Sequence, residues 1–162
     1  MSQKRQAAKR TQAPQARLEA EVFVSLFRTA DALARGAEAV LKPSGLSPTQ
    51  YNVLRILRGA GTEGLACNEV GCRMISRDPD ITRLLDRLES RGLILRARGE
   101  KDRRVVKTRI TAEGLRLLSE LDAPVQELHR RQLHHLPAKE LRQLSRLLER
   151  ARAQAEVPHS QE

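Results

Sequence analysis

Tryptophan is absent from this sequence of 162 residues, which contains only two phenylalanines and one tyrosine. Proteins that bind single-stranded nucleic acids stack bases on aromatic side chains, so this scarcity argues against that class. Two cysteines, Cys67 and Cys72, are too few for a disulfide framework. No apolar run approaches the roughly 18 residues of a membrane-spanning helix, and no secretory signal precedes the first helix. We therefore expect a cytoplasmic protein that does not insert into membranes.

Sequence motifs of enzymes are missing as well. There is no phosphate-binding loop, no glycine-rich dinucleotide turn, and no nucleophile beside a base. His129, His134 and His135 do not form the i, i+4 pair that presents two imidazoles to one metal ion, and we interpret them as residues that pack and pair near a helix C-terminus. We expect neither an enzyme, nor a metal site, nor a bound cofactor.

Positive charge is concentrated in two parts of the chain. The net charge is +10, with +5 in segment 1–17, where acidic residues are absent, and +6 in segment 46–111. Segments 18–45 and 112–162 are close to neutral. Because a merely solubilising charge would be spread evenly, this distribution indicates that the central block binds a polyanion. We interpret 1–17 as a disordered basic arm that either contacts polyanions or only keeps the chain soluble.

Apolar residues recur at helical spacing from Leu18, and Pro43 and Gly45 end this first helix. Its two adjoining apolar stripes are too wide for the surface helix of a monomer. One stripe consists of Leu18, Val22, Leu26 and Leu33, and the other of Phe23, Phe27, Ala30 and Ala34. The segment 18–45 is therefore predicted to be a dimerisation helix.

Three short helices follow in the central block. The first begins with Ser47 as N-cap and Pro48 in its first turn, and the second covers about Cys67–Ile75. The third starts near Pro79, with Asp78 or Ser76 as possible N-cap, and ends at Gly92. Its inward face is predicted to consist of Ile81, Leu84, Leu85 and Leu88.

A β-hairpin is predicted next, because the apolar period changes from 3.6 to 2 in the segments LILRAR and VVKTRI. Its valines, Val105 and Val106, are predicted to hold the hairpin to the core, while its basic residues face phosphates. Thr111 caps a long helix, and Pro137 begins a last helix with a leucine-rich stripe. We predict dimerisation helices over 112–155 and a flexible tail over 156–162.

This order predicts a mainly α fold with a small β-hairpin wing. The segment 46–111 forms a winged helix-turn-helix, flanked by long N- and C-terminal dimerisation helices. In such a unit the last short helix enters the DNA major groove, and the hairpin lies across the neighbouring backbone or minor groove. The +6 charge of this segment fits that function.

The segment TRLLDRLESRGLILRARGEKDRRVVKTRITAEG resembles the MarR family of bacterial transcriptional regulators. The family pattern is a TRL-DRLE-RGL recognition helix, a wing containing DRR, and an entry into the fifth helix of the form V-x-LT-x-G. The resemblance covers about 46–118 closely, and the flanking helices match in arrangement only. It implies a homodimer whose two winged helices bind a palindromic operator. Ile75 stands where many relatives have glycine, and Arg77 where they have a small N-cap residue.

DNA contacts are predicted on the fourth helix and on the wing. Arg77, Thr82, Arg83 and Arg87 lie on the outward face of that helix, where the alternative is a solvated face with ion pairs to Asp86 or Glu89. Asp78 and Asp80 either cap the helix or accept a hydrogen bond from a cytosine amine. By resemblance, Asp102 braces an arginine of the wing, Arg103 or Arg104, that enters the minor groove. We interpret Lys101, Lys107 and Arg109 as phosphate neutralisers or solvated strand residues.

Candidate signal-binding residues are few. Regulators of this family often bind small aromatic or phenolic acids, and Phe23, Phe27 and Arg28 could line such a site or pack in the dimer. Cys67 and Cys72 lie five apart on a helix, so they do not share a face. At least one is expected to be a small buried apolar residue, and an exposed thiol of low pKa would be an oxidant sensor.

We therefore expect a homodimeric, sequence-specific regulator of transcription that binds double-stranded DNA. It is expected to act as a repressor that a small molecule or an oxidant releases. The alternative is a basic helical protein, associated with RNA or the nucleoid, that binds nucleic acids by charge alone.

Overall fold

The computed structural model describes residues 2–76, 80–98 and 106–155, with side chains from Pro14 onward. The helices are α1 Ser2–Leu41, α2 Pro48–Ala60, α3 Cys67–Arg73, α4 Ile81–Ser90, α5 Ala112–Leu133 and α6 Ala138–Ala155. The strands are β1 Leu65–Ala66, β2 Ile94–Arg98 and β3 Val106–Ile110. This mainly α architecture with a small sheet confirms the predicted fold class.

The chain divides into two compact units, Met1–Val125 and Gln126–Glu162. The first unit contains the sheet and one continuous hydrophobic core. In the second unit, α6 contributes no buried residue. No helix among the described residues is long and apolar enough to cross a membrane.

The first helix differs from the sequence prediction. It begins at Ser2, whereas the sequence predicts a disordered arm over 1–17 and a helix only from Leu18. The absence of apolar periodicity in this segment does not prevent a helix, because alanine, glutamine, lysine and arginine are all strong helix formers. The predicted end is confirmed, since α1 stops at Leu41 and a 3-10 turn, Lys42–Ser44, leads to Gly45 with φ of 66°.

The second helix follows its capping signals. The Ser47 hydroxyl accepts a hydrogen bond from the Gln50 backbone at 3.1 Å, and the Gln50 side chain accepts one from the Ser47 backbone at 3.0 Å. This reciprocal pair is the capping box that such sequences form. Val53, Leu54 and Leu57 are buried, as the apolar spacing predicts.

The sheet has three antiparallel strands in the order β1-β3-β2. The hairpin pairs Ile94 with Ile110 and Arg96 with Thr108. The short strand β1 pairs with β3 through Leu65 and Thr108, and sequence reasoning did not predict it because two residues carry no periodicity.

The hairpin is held to the core by residues other than the valines that the sequence predicts. Val106 is 46% exposed, whereas Thr108 and Ile94 are 1% and 2% exposed. Val106 pairs with Arg98 at the outer end of the hairpin, beyond the part that packs on the helices. Val105, the other predicted anchor, lies outside the described residues.

Candidate nucleic-acid interface

The fourth helix begins at an aspartate cap. The Asp80 carboxylate accepts a hydrogen bond from the Arg83 backbone at 3.3 Å, and its second oxygen lies 3.1 Å from Arg83 Nε. The cap is therefore Asp80 and not Asp78 or Ser76, since α4 begins at Ile81. A carboxylate at a helix N-terminus is also favoured by the helix dipole, and the predicted capping function of Asp80 is confirmed.

The two faces of α4 separate by chemistry. Leu84, Leu85 and Leu88 are buried in the core, and Ile81 packs against it from a half-buried position. The opposite face exposes Thr82, Arg83 and Arg87. This face therefore exposes one hydroxyl and two guanidinium groups, of which that of Arg83 is paired with the Asp80 carboxylate.

Arg96 joins the fourth helix to the wing. Its backbone N–H donates to Glu89 Oε1 at 3.0 Å, and its Nε and Nη2 donate to Glu89 Oε2 at 2.8 and 2.6 Å. Nη2 also pairs with the Asp86 carboxylate. This cluster therefore ties α4 to β2 by hydrogen bonds and ion pairs.

The same cluster changes the charge of the helix face. The hydrogen bonds from Arg96 hold the pKa of the Glu89 carboxyl below its ordinary value, against desolvation, which raises it. Asp86 and Glu89 therefore pair with Arg96 of the wing. The alternative interpretation of this face predicted ion pairs of these carboxylates with Arg83 or Arg87. Arg87 has no side-chain partner among the described residues, so its charge is available to an anion.

Sequence reasoning missed Arg96 as a site residue, although the signal was present. The alternation of β2 puts Arg96 on the same face as Ile94, which is buried. An arginine on a buried face requires acidic or carbonyl partners. The acidic residues of the preceding helix were the available candidates.

The remaining predicted DNA contacts divide by location. Lys107 lies on β3, with its Nζ 3.9 Å from Glu63 Oε2, a distance at which the charge is weakly paired and can also meet a phosphate. The other wing residues and the residue before α4 lie outside the described residues: Arg77, Lys101, Asp102, Arg103 and Arg104. Their DNA contacts stay predictions.

Two polar contacts brace the central unit. Arg58 of α2 donates to both oxygens of Asp122 on α5, at 2.8 and 2.9 Å. These hydrogen bonds lower the pKa of the Asp122 carboxyl. Asn52 Oδ1 accepts a hydrogen bond from the Ile75 backbone at 3.0 Å and so holds the segment that leads toward α4.

The candidate signal-binding residues lie on α1. The rings of Phe23 and Phe27 are tilted by 46° with their centroids 4.7 Å apart, and the two residues are 61% and 65% exposed. Arg28, the next residue along the chain, is exposed as well. An open groove of about 770 Å³ lies between the last part of α1 and the start of α2, with Arg35 and Lys42 among its lining residues. None of the three candidates lines this groove, and their ligand contact stays a prediction.

The structure shows the environments of both cysteines and of His134. Cys67 is half-buried against the core, and Cys72 is exposed; both are free. His134 Nδ1 lies 3.1 Å from the Arg130 carbonyl oxygen, which agrees with the expected packing at a helix C-terminus. No group of three metal-ligating side chains occurs in the part of the chain that the structure describes.

Comparison with protein families gives a match to the model described as the MarR family over residues 46–106. This segment contains α2, β1, α3, α4 and β2, and it ends at Val106, the first residue of β3. Among curated proteins, the transcriptional repressor MdtR of Bacillus subtilis is 31% identical over 121 residues, which are 75% of this chain and 77% of that protein.

Solved structures agree with this match. A MarR transcription factor from Planctomyces limnophilus is 46% identical, with 80% of this chain and 93% of that chain covered and a TM-score of 0.62. CouR from Rhodococcus jostii, bound to p-coumaroyl-CoA, is 29% identical, with 90% and 98% covered and a TM-score of 0.73.

Proposed function

Since this chain belongs to the MarR family of helix-turn-helix transcriptional regulators, we propose that it binds a palindromic operator as a homodimer and represses transcription there. Regulation of transcription, and not catalysis, is the function of the family. The observation that carries the proposal is the face of α4. Its arginines project outward, while its two acidic residues pair with Arg96 of the wing.

The proposed DNA contacts have two functions. Thr82 and Arg83, near the N-terminus of α4, are the candidates for base readout, since the first residues of a recognition helix reach base edges. Arg87 and Lys107 would neutralise phosphates. A base-reading contact contributes about 1 to 3 kcal/mol and sets specificity, whereas a phosphate contact mainly changes the salt dependence.

Dimerisation is supported by apolar side chains that each unit leaves in solvent. In the first unit, the exposed residues of α1 are Leu18, Val22, Phe23, Val24, Leu26 and Phe27. In the second unit, Leu144 and Leu147 of α6 are exposed. Contiguous apolar faces of this kind mark protein interfaces, and a second copy of the chain would cover them symmetrically.

The dimer is tested by a matched pair of substitutions on α1. Phe27→Ser removes an exposed ring, while Glu21→Ser removes a carboxylate that pairs with Arg17 of the same helix at 3.1 Å. Light scattering at fixed concentration is expected to show dimers for wild type and E21S and dissociation for F27S. A monomeric wild-type protein would contradict the proposal.

The operator is tested by selection from random duplexes. We expect a palindrome with half-sites about 10 base pairs apart from centre to centre, bound far more tightly than random DNA at two salt concentrations. If the affinities for selected and random DNA are nearly equal and no palindrome is selected, the alternative is supported, a basic protein that binds nucleic acids by charge alone.

The repressor is further proposed to respond to a small aromatic ligand, as the CouR complex illustrates for a relative. Release requires a ligand that binds the DNA-free state more tightly than the DNA-bound state. p-Coumarate and p-coumaroyl-CoA are suitable probes, and binding of either should raise the melting temperature and weaken operator binding. Oxidant release through Cys67 or Cys72 is the alternative, which unchanged operator affinity after peroxide treatment would contradict.

A further inference from the structure

Arg91 connects the end of the recognition helix to the end of the first helix. It follows α4 directly and is the C-cap residue. Its Nη1 donates to the Gly45 carbonyl oxygen at 2.8 Å, and its Nη2 donates to the Ser44 carbonyl oxygen at 2.9 Å. One guanidinium group therefore joins two segments that are more than forty residues apart in sequence.

The acceptors of these hydrogen bonds are carbonyl groups at a helix end. Ser44 and Gly45 close the 3-10 turn that continues α1, where carbonyl groups lack helical partners and the dipole is negative. Leu41 and Leu46, on either side of the turn, are buried in the core. The turn is thus fixed, and the planar fork of Arg91 fits two adjacent carbonyls in a way that a lysine cannot.

We propose that Arg91 sets the angle of α4 relative to α1 and thereby determines which half-site spacing the dimer accepts. This inference rests on the proposed function, in which α1 contacts the second copy and α4 enters the major groove. The core leucines of α4 hold its middle, and Arg96 holds it to the wing. Arg91 holds its C-terminal end to the helix that carries the exposed apolar face.

A small change of angle is enough to alter the spacing. The ten residues of α4 span about 15 Å at about 1.5 Å per residue. A tilt of about 15° about the middle of the helix moves each end by about 1.9 Å, and two protomers together give about 4 Å. This exceeds the rise of one base pair, about 3.4 Å. An inserted base pair also rotates one half-site by about 35° about the duplex axis, so loss of the Arg91 contact is expected to weaken the discrimination between spacings and not to remove it.

The test uses the operator that the wild-type protein selects and two derivatives, one with a base pair inserted between the half-sites and one with a base pair deleted. The measured quantity is the ratio of affinities for the native and the altered spacing. We compare wild type, Arg91→Ala, Arg91→Lys and Arg91→Gln. Arg116→Ala is the matched control, because the ion pairs that Arg116 forms with described residues all involve acidic residues of its own helix. Light scattering and thermal unfolding show which variants are folded dimers.

The expected result is a spacing ratio that falls about tenfold in R91A, the scale of lost charge-assisted hydrogen bonds. R91K should be intermediate, and R116A should equal wild type. If R91A does not fold, R91Q is judged by the same ratio. A wild-type ratio in folded R91A or R91Q overturns the inference and leaves the proposed function intact. A wild-type protein that selects no palindrome, or accepts every spacing, overturns both.

Discussion

The contact between Glu89 and Arg96 gives the sharpest test of how the recognition helix is held. Replacing Glu89 by glutamine keeps the size of the side chain and an amide oxygen that can accept the Arg96 backbone N–H. It removes the carboxylate that receives Nε and Nη2 at 2.8 and 2.6 Å. The substitution therefore isolates the ionic part of the contact.

The size of the expected loss of stability follows from the burial of the two side chains. Hydrogen bonds to charged groups contribute about 1.5 to 3 kcal/mol when well shielded, and exposed ion pairs about 0 to 1 kcal/mol. The side chains of Arg96 and Glu89 are 26% and 36% exposed, between these limits. We expect Glu89→Gln to lower the free energy of unfolding by about 1 to 2 kcal/mol at pH 7. For a chain of this length the melting temperature falls by about 2 to 4 °C per kcal/mol.

The pH dependence has a defined sign. The folded protein holds the pKa of the Glu89 carboxyl below its ordinary value, chiefly through the hydrogen bonds from Arg96. The stabilisation is therefore fully present above the pKa that glutamate has in the unfolded chain, and it is lost as pH falls through the lowered pKa of the folded state. The difference between wild type and E89Q should shrink over that acidic range.

Urea unfolding followed by circular dichroism, at one protein concentration and at several pH values, measures this difference. Glu113→Gln is the control, since Glu113 pairs with Arg116 within one exposed helix turn and should change stability little. An E89Q protein as stable as wild type at pH 7 would refute the reasoning. So would a difference that persists undiminished after the carboxyl has been protonated.

Three further predictions concern the central unit. Gly114→Ala should lower the free energy of unfolding by about 3 kcal/mol through overpacking, because an added Cβ would lie 2.3 Å from a backbone oxygen. Gly59→Ala should be neutral or stabilising by about 0.5 kcal/mol, because nothing lies within 4 Å of the added Cβ. Urea unfolding of both variants measures the difference. Thr108→Val should leave stability unchanged or raise it by up to about 1 kcal/mol, since the hydroxyl has no partner among the described residues, and a clear loss of stability would show that it has one. Asp122→Asn should destabilise the protein at neutral pH and lose this effect as pH falls through the carboxyl pKa that Arg58 lowers; an unfolding free-energy difference independent of pH would count against that pairing.

Local signals predicted most of the fold. The cap at Ser47 and the buried face of α2 follow from residues within a few positions of one another, and so does the alternation in β2 and β3. Thr111 is confirmed as the cap of α5, because its hydroxyl accepts the Gly114 backbone N–H at 3.1 Å. These features depend on neighbouring residues, which a sequence displays directly.

Contacts between distant segments were not predictable in the same way. The hydrogen bonds of Arg58 to Asp122 and of Arg91 to Gly45 join residues 64 and 46 positions apart. An exposed arginine offers many possible partners, and only the packing of the helices selects one. The prediction of a disordered arm over 1–17 differs from the structure for another reason. Helix propensity alone, without an apolar face, allows α1 to begin at Ser2.

These internal contacts also change what the net charge means for DNA binding. Segment 46–111 contains fourteen basic residues, but Arg58, Arg91 and Arg96 are engaged with carboxylates or carbonyl groups of the protein. Each phosphate contact contributes about 0.9 to the slope of log affinity against log salt, so counting these three would overstate the slope by about 2.7 per protomer. Arg96 offsets one of the two negative charges of Asp86 and Glu89, so it reduces the repulsion of phosphates by this pair without abolishing it. In the proposed function, internal arginines therefore position the DNA-binding surface, and outward ones such as Arg87 would supply its affinity.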